Sequence, residues 1–93
     1  MEFQREENRI WLADASGQKI AQLLFPARSE GVVTVSSTYV DPALRGQGVA
    51  SRLMEALTQE LRASGRKAVP VCSYAVRWFE EHPEAADLLA EKG

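Results

Sequence analysis

The stretch V-D-P-A-L-R-G-Q-G-V-A-S-R-L-M, residues 40–54, sets two glycines and an arginine between an apolar, strand-like run and an apolar, helix-like run. Upstream, residues 32–40 (VVTVSSTYV) are dominated by β-branched side chains, which suit a pleated sheet and read as a strand. Downstream the period changes. Val49, Ala50, Leu53, Met54, Leu57 and Leu61 recur at helical spacing, while Arg52, Glu55, Gln59, Glu60 and Arg62 fill the opposite face. Ser64-Gly65 ends that helix, with Gly65 as its left-handed cap.

Working outward, residues 67–72 (KAVPVC) are too short and too β-branched for another helix. A helix separates them from the strand before, so they should return parallel to it. Ser73 is placed to cap a second helix running from Tyr74 to about His82, and Pro83 to open a last short one. Toward the N-terminus, residues 9–13 and 19–25 form two extended runs joined by D-A-S-G-Q, a turn-forming sequence, and the second run is closed by Pro26. The order is β-β-β-α-β-α. The expected fold is α+β: an antiparallel meander followed by a βαβ unit in one mixed sheet, as a single domain over residues 1–93.

The loop therefore lies at a strand-to-helix junction. The first amides of a helix lack intrahelical partners, and the helix dipole places partial positive charge there. An anion at that end is stabilised without a dedicated side chain. Gly46 and Gly48 leave the backbone open to close approach, and Arg45 adds a charged, forked donor. A Walker A loop needs a Gly-Lys-Ser/Thr ending, which is absent. The dinucleotide fingerprint G-x-G-x-x-G/A fails, because Ser51 stands at its last position. The pattern R/Q-x-x-G-x-G/A is met in full by Arg45-Gly46-Gln47-Gly48-Val49-Ala50.

That pattern resembles the acyl-CoA loop of the GNAT superfamily of N-acyltransferases. The phrase P-x-C-x-[YF]-A, matched by Pro70-Val71-Cys72-Ser73-Tyr74-Ala75, is similar to the compact, single-domain YjdJ-like branch of that superfamily. The resemblance implies acetyl-CoA as cosubstrate. Its pyrophosphate would be held by Arg45, Gly46, Gln47, Gly48, Val49, Ala50 and Ser51. It also implies that two neighbouring strands part to admit the pantetheine arm, and Pro70, which cannot donate to a ladder, suits such a place. A backbone amide within Thr38, Tyr39 and Val40 would polarise the thioester carbonyl, and Cys72 would line the gap.

Two departures stand out. Phe79 occupies the position where relatives often carry a tyrosine acid, and phenylalanine has no proton to give. The strand at 32–40 holds no carboxylate to serve as base. Acyl transfer to an amine still requires a proton for the leaving thiolate. Cys72 and Tyr74 are the candidate catalytic residues. Cys72 precedes a helix N-terminus, a setting in which thiols become reactive, but a lone cysteine is equally at home as a small buried hydrophobe. Tyr74 could equally be a packed residue with a satisfied hydroxyl. His82 reads as a surface residue at a helix end, and Trp78 and Phe79 read as core, in helical spacing with Ala75.

Composition sets the outer bounds. The formal net charge of −2 argues against a nucleic-acid surface, which must neutralise several phosphates. No apolar run approaches the ~18 residues of a membrane helix. A single cysteine excludes an internal disulfide and suits a reducing compartment, so a cytoplasmic location is expected. No metal is invoked. Only about four residues separate the first two strands, where typical GNAT proteins place two helices. An uncovered acceptor side points to a large amine acceptor such as a protein or peptide, or to a partner that completes the pocket. The alternative reading is a module that binds CoA or acetyl-CoA without turnover.

Overall fold

The computed structural model describes residues 3–90. Among these residues, seven strands form two sheets, and two α-helices pack with them. Strands β1 (Gln4–Glu6), β2 (Arg9–Ala13), β3 (Lys19–Leu24) and β6 (Ser37–Val40) make an antiparallel sheet in the order β1-β2-β3-β6. Strands β4 (Ala27–Ser29), β5 (Val32–Val35) and β7 (Lys67–Pro70) make the second, in which β5 and β7 run parallel. Helix α1 (Val49–Ser64) provides the crossover between β6 and β7, and α2 (Ser73–Glu81) follows. Two 3-10 segments, Pro42–Leu44 and Pro83–Leu88, are also present among the described residues. The α+β class and the parallel return after the helix agree with the sequence reading; β1 and β4 are additional.

The β2–β3 connection shows how local chemistry sets the hairpin. The Asp14 carboxylate accepts from the amides of Ser16 (2.9 Å) and Gln18 (3.0 Å) and from the Ser16 hydroxyl (2.6 Å). These bonds stabilise the ionised form and hold the Asp14 carboxyl below the usual carboxylate value.

The main difference from expectation lies in residues 32–40, which are two strands rather than one. Val33 and Val35 point into the core, whereas the more buried positions of β6 are Thr38 and Val40, so the inward parity flips between them. A bulge produces the flip. Ser37 lies opposite Leu24 in register, and the Ser36 amide also donates to the Leu24 carbonyl at 3.0 Å. Two residues of one strand thus face one of the other, which bends the strand and increases its twist. β5 goes to the second sheet with β7, and β6 stays in the first with β3.

The fork between the sheets has a defined apex. The Val35 carbonyl accepts from both the Val71 amide (3.1 Å) and the Cys72 amide (3.2 Å). Pairing between β5 and β7 stops at Val35 opposite Pro70, which has no N–H to extend the ladder. Beyond this point, among the described residues, β6 has no strand partner on its second edge.

Helix α1 lies over the first sheet. Its buried residues are Val49, Leu53, Met54, Ala56, Leu57, Thr58 and Leu61, the stripe read from the sequence with Ala56 and Thr58 added and Ala50 only partly buried. They pack with Ile10, Leu12, Ala21, Leu23 and Phe25 from the sheet and with Ala75, Trp78 and Phe79 from α2. Fully burying a side chain such as Leu57 contributes about 1.5–3 kcal/mol. Gly65 closes the helix in the left-handed region at φ 70°, as expected. Among the described residues no helix is long and apolar enough to cross a membrane.

Candidate active site

The 3-10 turn Pro42–Leu44 carries the chain from β6 to α1. Asp41 caps this turn, its carboxylate accepting from the Ala43 amide at 2.9 Å. The longer helix that follows has no such cap. Gly48 precedes α1 in the left-handed region (φ 74°), as does Gly46 (φ 86°), and no side chain bonds the helix start. The Arg45 and Gln47 amides are used within the turn, donating to the carbonyls of Pro42 (3.3 Å) and Leu44 (3.2 Å). The first amide to close a helical bond is that of Arg52, to Gly48 at 3.1 Å. Among the described residues, the amides of Gly46, Gly48, Val49, Ala50 and Ser51 therefore have no protein partner. They lie at, or just before, the positive end of a 16-residue helix.

A pocket of about 210 Å³ opens at this place. It is lined by Val40, Leu44 and Tyr74 together with Arg45, Gly46, Gly48, Val49, Ala50 and Ser51 from the loop and the first turn of α1. Eight of the residues singled out in the sequence thus meet in one cavity. Leu44 was not among them; an apolar residue between the turn-forming Pro42 and the loop arginine was the available signal. Gln47 does not line the cavity, and its side chain turns back to the Ala43 carbonyl at 3.4 Å. Arg45 is exposed, and among the described residues it forms no ion pair.

Beside the pocket is the fork. The Asp41 amide donates to the Ile20 carbonyl at 2.8 Å, and Ala21 and Val40 are register partners. Alternation along the strand then turns the amides of Tyr39 and Ser37 toward β3, and those of Thr38 and Val40 toward the gap. The Tyr39 side chain lies on the outer face of the sheet, 48% exposed. Thr38 Oγ1 and Cys72 Sγ stand 3.4 Å apart, joining β6 to the start of α2 across the fork. Cys72 is partly buried and is itself the N-cap of α2, one residue earlier than the sequence suggested.

Tyr74, in the first turn of α2, borders the cavity. Burial, reinforced by the Glu81 and Glu55 carboxylates, raises its phenol above the ordinary tyrosine value of 10.0. Trp78 and Phe79 are core residues as expected, each 5% exposed. His82 is not a plain surface residue. Its ring stacks on Trp78, with centroids 3.9 Å apart and planes 12° apart, and its Nδ1 lies 2.7 Å from the Trp78 carbonyl oxygen.

A model of GCN5-related N-acetyltransferases matches residues 9–88, which include every strand of the fork, the loop and both helices. The chain belongs to the GCN5-related N-acetyltransferase family. No curated protein matches the sequence. Among solved structures, a GCN5-like protein from Staphylococcus aureus, determined by NMR, is 23% identical over 99% of this chain and 90% of its own, with a TM-score of 0.81. The ribosomal-protein-S18-alanine N-acetyltransferase from Escherichia coli is 23% identical, covers 84% of this chain and 53% of its own, and has a TM-score of 0.65. Rv2747 from Mycobacterium tuberculosis, solved in complex with CoA, is 16% identical over 83% of this chain and 48% of its own, with a TM-score of 0.66. These likenesses establish the fold. The chain spans about half the length of the last two of these proteins.

Proposed function

We propose that this GCN5-related protein transfers the acetyl group of acetyl-CoA to an amine, with a protein or peptide as the acceptor, in the manner of the compact YjdJ-like branch. The observation that carries the reading is the row of unpartnered amides at the start of α1, beside Arg45 and opening onto the cavity. A diphosphate accepts from several such amides at once, and each hydrogen bond to a charged oxygen is shorter and stronger than a neutral one. A Cβ at position 46 or 48 would meet no heavy atom within 4 Å, so it is the left-handed backbone that requires glycine there.

The remaining residues supply roles for the transfer. The pantetheine arm fits along Val40, Leu44 and Tyr74 and leads to the fork. The amides of Thr38 and Val40 face the gap, where they would donate to the thioester oxygen as it gains charge in the tetrahedral intermediate. As the carbon–sulfur bond breaks, the thiolate takes a proton. Cys72 and Tyr74 border its path, and the raised Tyr74 phenol remains protonated throughout the neutral range. Only the hairpin turn separates β2 from β3, so no helix between these strands covers the acceptor side. That favours an acceptor large enough to complete the pocket with its own surface.

A second reading, binding of CoA without turnover, is favoured by two specific features: Phe79 is buried and carries no proton, and β5 and β6 hold no carboxylate. A thermal-shift titration with acetyl-CoA, CoA and ATP tests the ligand shared by both readings. Stabilisation by the two CoA species and not by ATP is expected, and absence of a shift with either CoA species removes both. Turnover with a peptide acceptor separates them.

A further inference from the structure

We infer that Trp78, which lies outside the loop, is a positioning residue for the phosphate end of the cavity, acting through Ser51; the inference rests on the acyl-CoA reading above. Trp78 is 5% exposed, and a buried indole N–H needs an acceptor. It finds the Ser51 hydroxyl at 3.2 Å, linking α2 to the first turn of α1. Indole can only donate, so this bond occupies a lone pair of Ser51 Oγ and leaves its proton free. Other hydroxyls of α1 spend that proton on the helix itself. Thr58 Oγ1 donates to the Glu55 carbonyl at 2.7 Å, and Ser64 Oγ to the Glu60 carbonyl at 2.8 Å. Among the described residues Ser51 makes no such back-bond. Its O–H is thus a spare donor on the cavity wall beside the unpartnered amides.

The indole itself is held from several sides. His82 stacks on one face, Phe79 meets it edge-on with centroids 5.3 Å apart, and His82 Nδ1 lies against the Trp78 carbonyl oxygen. A fixed donor fixes the acceptor. Ser51 accepts from the indole, makes no bond back to the helix among the described residues, and keeps its proton for an incoming acceptor. Accepting from the indole also polarises the hydroxyl and strengthens the bond it gives. The ligand chemistry served is an anionic oxygen, here that of the diphosphate.

The test is a double-mutant cycle on the intact chain, with CoA affinity read by calorimetry. Wild type, Trp78→Phe, Ser51→Ala and the double variant are compared, and each variant's Tm is recorded. Trp78→Phe keeps a buried aromatic ring and removes the donor together with part of the indole's bulk, which the Tm and the coupling to Ser51→Ala separate from loss of the bond. Loss of one bond to a charged oxygen predicts a fall in CoA affinity of roughly tenfold for each single variant, and no further fall in the double variant. Should Trp78→Phe fail to fold, the tryptophan emission of a Trp11→Phe protein gives the second reading. CoA should change the emission of Trp78, and adding Ser51→Ala should abolish that change at saturating CoA. Wild-type affinity in Trp78→Phe, additive losses in the double variant, or an emission change untouched by Ser51→Ala overturns the inference. Failure of the wild type itself to bind CoA would instead remove the acyl-CoA reading and this one with it.

Discussion

Thr38 and Cys72, 34 positions apart in the sequence, meet at 3.4 Å between hydroxyl and thiol where the two sheets part. One side chain comes from β6, the other from the N-cap of α2, and their contact spans the fork. Replacing Cys72 by Ala removes the sulfur without touching the loop. The expected result is CoA affinity within about twofold of wild type and a kcat lowered by roughly 10²-fold or more, as for loss of a proton donor or nucleophile. Cys72 would act either by protonating the leaving thiolate or by taking the acetyl group as a thioester with release of CoA, and intact mass under single turnover distinguishes the two, since only the second leaves an acetyl group on the protein.

Arg45 is exposed and forms no ion pair among the described residues, so Arg45→Ala should leave the free protein's stability within about 0.5 kcal/mol. Its effect should fall on the ligand, with CoA affinity reduced about tenfold and the dependence of binding on salt made shallower. Calorimetry at two ionic strengths reads both.

Gly48→Ala tests the backbone rather than a side chain. Its Cβ would have space, but φ 74° is unfavourable for any residue with a Cβ. A destabilisation of about 1–2 kcal/mol is expected in urea unfolding, together with a smaller CoA-induced rise in Tm as the helix start shifts.

Tyr74 predicts an alkaline dependence. Its folded pKa is raised, so the neutral phenol is favoured in the native state. The stability tied to that form is fully present below the unfolded value near 10.0 and is lost as pH rises through the higher folded value. Tyr74→Phe should therefore unfold at a urea midpoint offset from wild type by a constant amount up to about pH 9. Above pH 10 the offset should move in favour of the variant, which has no phenol to ionise. A constant offset across the whole range would contradict the burial of the phenol.

The loop and the crossover helix were legible because both rest on local rules. The helix advertises a 3.6-residue stripe, and the glycines advertise left-handed backbone. The bulge at Ser36–Ser37 was less legible, since a run of β-branched and hydroxyl residues reads as one strand whether or not its register slips. The clue was parity: Val33 and Val35 share one alternation, Thr38 and Val40 the other. The Trp78–Ser51 bond and the His82 stack depend on how α2 lies against α1, which no spacing within either segment encodes. His82 illustrates the limit, because its position at a helix end suggested solvent while a neighbouring indole claims its ring.

The doubly bonded carbonyl of Val35 has a consequence for ligand entry. With both apex amides already satisfied and Pro70 contributing none, the arms of the fork have no ladder left to zip together at that point. A guest sliding between them breaks no strand pairing there, so its binding free energy is not drawn down by prising the sheets apart. What a guest would meet there instead is the side-chain contact between Thr38 and Cys72.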